Sequence, residues 1–64
     1  MTKQERDIKN FADYVLKKHR GKTLPAKEIE KLADKYGKID MIDLIDNLDI
    51  FEDIMYNEGI EITD

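Results

Sequence analysis

A chain of 64 residues has room for one domain and one small core, and without cysteine it has neither disulfide staples nor thiolate metal sites. Its 41% apolar and 41% charged residues suit a folded domain, and the apolar positions are periodic enough to argue against disorder. No apolar run approaches the roughly 20 residues of a membrane span, and MTKQERDIKN lacks the apolar stretch of a signal peptide, so the expectation is a cytoplasmic protein with no membrane partner.

Thr2, followed by Glu5, reads as a capping box that opens a first helix. Ile8, Phe11, Ala12, Val15, Leu16 and His19 fall on one face of that helix. Lys17, Lys18, His19 and Arg20 place positive charge in its last turn, and Gly21 offers a left-handed stop, so the helix is expected to end at about Arg20. Pro25 suits the first turn of a second helix, with Thr23 or Leu24 as its cap. Ile29, Leu32, Ala33 and Tyr36 form its inward stripe, Lys27, Lys31 and Lys35 an outward basic row paired in part with Glu28, Glu30 and Asp34, and Gly37 its end.

The third segment carries two conflicting patterns. Met41, Leu44, Ile45, Leu48, Phe51 and Met55 share one helical face, but a single helix from Asp40 to Asn57 would expose Ile39, Ile42 and Ile50. A break resolves the conflict: a short turn or helix over residues 39–45, then a final helix from about Asn47, capped by Asp46. Gly59 closes that helix, with Ile60 making the accompanying apolar contact.

Ile60-Glu61-Ile62 then alternates like a strand, and a lone strand needs a partner. The other extended candidate is Lys22–Leu24. The expected class is therefore mainly α: a compact three-helix domain, residues 1–64, with a short two-stranded β-ribbon, close to a winged helix.

Charge divides the chain more sharply than hydropathy does. Residues 1–38 hold all 11 Lys and Arg against 6 acids, whereas residues 39–64 hold nine carboxylates and no base. Such asymmetry points to a partner rather than to catalysis. Asp40, Asp43, Asp46, Asp49 and Glu52 recur at every third residue, with Asp53, Glu58, Glu61 and Asp64 beyond. In a continuous helix those like-charged neighbours would together cost on the order of 1–2 kcal/mol.

The plain explanation is that the basic first and second helices lie alongside and the remaining acids form a solvated face. The functional one is that Asp40, Asp43, Asp46, Asp49, Glu52 and Asp53 present a strip of negative charge to a basic surface, as a nucleic-acid backbone does. A calcium loop is excluded by spacing, because its ligands alternate at every second residue around a central Gly. The opposite reading is a winged-helix DNA binder. Its recognition helix would be the acidic one, leaving Lys17, Lys18, Arg20, Lys22, Lys27 and Lys31 to bind the backbone non-specifically. A third is a module that folds against another protein through Ile42 and Ile50.

Catalysis has little to stand on. One His, no Cys and three glycines provide neither a nucleophile pair nor a phosphate loop, so no catalytic residue, cofactor or metal is expected. His19 reads as a residue of a helix end, and Tyr14, Tyr36 and Tyr56 as core edges, one of which could anchor a partner.

Two stretches also carry a family likeness. Gly21-Lys22-Thr23-Leu24 leading into Ala26-Lys27-Glu28-Ile29 is similar to a Gly-x-Leu-Thr turn before a helix containing Glu-Ile or Glu-Val, with Thr and Leu in exchanged order. Asp53–Ile62 is similar to a final helix that closes with Gly-Ile and a short strand of alternating apolar and acidic residues. On these, the chain from Tyr14 onward resembles region 1.1, the N-terminal autoinhibitory domain of primary bacterial sigma factors. The resemblance implies an acidic three-helix domain that occupies the DNA channel of RNA polymerase, or masks DNA-binding surfaces of sigma, until DNA displaces it. It carries over Gly21, Leu24, Ile29, Gly59 and Ile60, all in structural roles.

Overall fold

The computed structural model describes residues 2–63. In chain order its elements are α1 (Lys3–Lys18), β1 (Thr23–Pro25), α2 (Ala26–Tyr36), α3 (Met41–Asp46), α4 (Leu48–Asn57) and β2 (Glu61–Thr63). The fold is mainly α with a two-stranded ribbon, and the third helical segment is indeed broken in two.

At the start of α1, Thr2 Oγ1 accepts the Glu5 N–H at 3.1 Å, while the Glu5 carboxylate takes the Thr2 hydroxyl at 3.4 Å. The row Ile8, Phe11, Ala12 and Val15 is fully buried. The helix ends two residues before Arg20, and Gly21 is not its left-handed stop. The His19 N–H still reaches Val15 O at 2.8 Å, but His19 itself is extended (φ −100°, ψ 131°). Its ring Nε2 lies 2.7 Å from Thr23 O. Because a carbonyl only accepts, Nε2 carries the proton. This bond draws the chain out of the helix toward β1, across a Gly21 whose φ of +138° suits only glycine.

Pro25 is neither inside α2 nor capped by Thr23 or Leu24. It ends β1 and is itself the helix's N-cap, with φ −67° and ψ 149°. Gly37 stops α2 as expected, left-handed at φ +69°, with its N–H on Ala33 O at 3.0 Å.

Asn47, not Asp46, is the joint between α3 and α4. Its N–H bonds Asp43 O at 3.1 Å and its side-chain Nδ2 donates to the same oxygen at 2.9 Å, closing α3. Its own carbonyl accepts the Ile50 N–H at 3.1 Å, opening α4. Asp46 is the last residue of α3.

The end of α4 is a Schellman stop. Gly59 (φ +78°) bonds Tyr56 O at 3.0 Å, the Ile60 N–H bonds Met55 O at 2.9 Å, and Ile60 and Met55 are both buried. From there β2 runs parallel to β1, with Leu24 opposite Ile62, and the Glu61 N–H bonds Lys22 O at 2.8 Å. Each strand sits one residue later than the alternation suggested. A parallel pair cannot be a hairpin, so the ribbon joins the C-terminal end to the α1–α2 connection across three helices.

The core is built where α1 meets α4 and α2. Phe11 and Phe51 stack with centroids 5.4 Å apart, Tyr36 closes on Phe11 at 5.6 Å, and Tyr14 closes on Tyr36 at 5.0 Å. Leu24, Leu44 and Met55 fill the remainder, and no polar side chain among the described residues is buried.

Candidate interaction surface

The joint at Asn47 changes what the third segment shows to solvent. Six-residue α3 turns only Leu44 fully inward. Met41 and Ile45, expected on the inward face, are exposed at 38% and 64%, and Ile42 at 68%. Ile39 and Ile50, which one continuous helix would have exposed, pack half-buried against the core once the segment is broken, whereas Ile42 stays outside it. The outward side of α3 is therefore apolar.

The acidic strip is correspondingly broken into parts with different duties. Asp40 Oδ1 accepts the Ile42 N–H at 2.9 Å and caps α3. Asp43 is half-buried and accepts from Gln4 Nε2 of α1 at 3.2 Å. The exposed remainder is Asp46 at the joint, then Asp49 and Asp53, one turn apart on α4, with Glu52 half-buried beside them. Tyr56 continues that face and is 53% exposed, unlike Tyr14 and Tyr36. Asp64 lies outside the described residues.

None of the side-chain hydrogen bonds among the described residues joins an acid to a Lys or Arg. The basic helices thus leave the outer acids of α4 without charge-assisted hydrogen bonds. Glu58 and Glu61 are exposed too, and α4 has no basic residue in its last turn.

The basic residues Lys17, Lys18, Arg20, Lys22, Lys27 and Lys31 are all exposed, spread over the end of α1, the connection and α2. Lys18 Nζ stands 5.8 Å from the Tyr14 ring centroid, within cation–π range. His19 is committed to the Thr23 carbonyl. Among the described residues no three His, Cys, Asp or Glu side chains gather as metal ligands, and no helix is long and apolar enough to cross a membrane.

Beside the exposed face of α3 lies a groove of about 230 Å³, floored by Ile29, Leu44, Leu48 and Ile62 and edged by Met41 and Ile45. The charged residues lining it, Glu30 and Glu52, are both acids. A short helix of its own ahead of α4 could have been found from Asp40, because an Asp immediately before an apolar run is a helix-start signal. Nothing in the sequence pattern marked the groove, which depends on β2 folding back beside β1 and against α4. No protein-family model matches the chain, and comparison with curated proteins and with solved structures finds no match.

Proposed function

We propose that this domain docks, through the acidic outer face of α4, on a basic protein surface of the kind that holds a nucleic-acid backbone, and thereby controls access of nucleic acid to it. The observation that carries the reading is the row Asp46, Asp49 and Asp53 with Glu52, presented outward with no charge-assisted hydrogen bond from the chain's own Lys or Arg. Surface carboxylates in such a row raise the local concentration of a cationic partner and compete with phosphates for the same donors. RNA polymerase or a sigma factor is the partner that the resemblance to sigma region 1.1 points to.

The test is titration of RNA polymerase core, and separately of sigma, at several salt concentrations. Alongside the wild type goes a variant carrying Asp46→Asn, Asp49→Asn, Glu52→Gln and Asp53→Asn. Affinity is expected to drop about tenfold or more in the variant, and to weaken as salt rises, because exposed charges are screened within roughly 10 Å at 0.1 M. Salt-independent affinity would remove the mechanism. A gel shift with duplex DNA that depends on Lys27 and Lys31 would favour the basic surface instead.

A further inference from the structure

The α3 groove has the wrong character for a metabolite and the right one for a side chain. Its volume of about 230 Å³ falls below the roughly 300–1,000 Å³ of small-molecule sites, and its floor is aliphatic. Ile42 and Ile45, each about two-thirds exposed, extend the apolar area beyond the groove along α3. Three large apolar residues exposed on one six-residue helix form a patch rather than the scattered single residues normal on a surface. The charges that line the groove itself are of one sign, Glu30 from α2 and Glu52 from α4, and Asp46 and Asp49 flank the joint, whereas Lys27 and Lys31 lie beyond Met41 and Glu30 on the far side of α2.

We propose that the groove seats one apolar anchor of a basic amphipathic helix, whose Lys or Arg residues on either side of the anchor meet Glu30, Glu52 and Asp46. The proposal rests on the reading of a basic protein partner and adds what fixes its register, since charge alone lets a partner slide. A helix fits better than an added strand, because β2 offers only three residues of edge and the groove runs between helices. Desolvating one apolar anchor gives a pocket its specificity, while the rim charges govern the rate of encounter.

The test uses the full chain, labelled for NMR, and three synthetic peptides: an amphipathic helix of Leu and Lys, the same peptide with Leu replaced by Ala, and the same with Lys replaced by Glu. The Leu/Lys peptide is expected to give saturable methyl shifts at Ile29, Leu48 and Ile62. The Ala peptide keeps helicity and charge and is expected to bind about tenfold or more weakly, and the Glu peptide not to bind. Ile45→Ser changes an exposed position, so it is expected to leave the melting temperature in place while weakening the Leu/Lys peptide.

Equal binding of the Leu and Ala peptides, or shifts confined to Asp49, Asp53 and Tyr56, would overturn the anchor while leaving electrostatic docking intact. Absence of binding by every peptide, with polymerase or sigma still bound, would overturn it as well. Sedimentation of the free protein is expected to give a monomer. A dimer that broadens the groove methyls would assign the groove to a second copy of the chain and overturn the basic helix.

Discussion

A methyl group added at Gly59 would meet no atom within 4 Å, so the cost of Gly59→Ala is conformational rather than steric. The residue holds φ +78°, where an L side chain is disfavoured by about 1–2 kcal/mol. Urea denaturation is expected to show a loss of that size, with Gly59→Asn milder because Asn tolerates the left-handed region. Asp40 provides a second single-residue test, because its carboxylate both caps α3 and adds to the acidic count. Asp40→Ala removes the acceptor of the Ile42 N–H and is expected to cost about 1 kcal/mol, whereas Asp40→Asn keeps the acceptor and should be close to neutral. If both variants were equally destabilised in denaturant melts, the residue would be acting through its charge and not as a cap.

Along α4, charge and dipole work against each other. Asp49 sits in the first turn, where the macrodipole favours a carboxylate, but Asp53 is nearer the end and no base follows it in the last turn. Asp49 and Asp53 are also like-charged neighbours at i, i+4. Asp53→Asn is therefore expected to raise stability by about 0.3–1 kcal/mol, read as a melting temperature a few degrees higher at low salt and little changed at high salt. Asp49→Asn should not stabilise. Helix ends of this kind were legible in the sequence: Thr2 as a cap, Gly37 and Gly59 as stops, and a break ahead of α4 all depend on local backbone chemistry. The strand pairing was legible because the two extended segments had no other partners. What the sequence did not reveal depends on contacts between distant residues. His19 leaves α1 because of a bond to the Thr23 carbonyl. Met41 and Ile45 face outward because Asn47 restarts the helical phase, whereas a face drawn from Met41 to Met55 assumes one uninterrupted helix. The same restart moves Asp40 and Asp43 out of the acidic face, and leaves Asp46, Asp49, Glu52 and Asp53 as the candidate site.

For the whole molecule, the radius of gyration of 10.6 Å matches the roughly 11 Å expected of a packed chain this long, and its extents are 28 × 22 × 20 Å. The margin is nevertheless thin, since about 0.05–0.15 kcal/mol per residue gives a domain of this size on the order of 3–10 kcal/mol. The Phe11–Phe51 stack joins α1 to α4 at the centre, and Phe51→Ala is expected to cost about 3–5 kcal/mol, enough to leave much of the protein unfolded by far-UV circular dichroism. The periphery carries comparable weight in one place. Ile60 and Leu24 are buried where the parallel ribbon lies on α4 and α2, so residues 60–63 cover apolar surface presented by the α1–α2 connection. Truncation after Gly59 removes Ile60 and β2 together, and uncovers Leu24 and Ile29. Losing the Ile60 side chain alone is expected to cost about 2–5 kcal/mol, a large share of the total, so the truncated chain should melt broadly and non-cooperatively. A truncated chain that kept a sharp melt within a few degrees of wild type would place the stabilising core wholly in the four helices and make the ribbon an accessory.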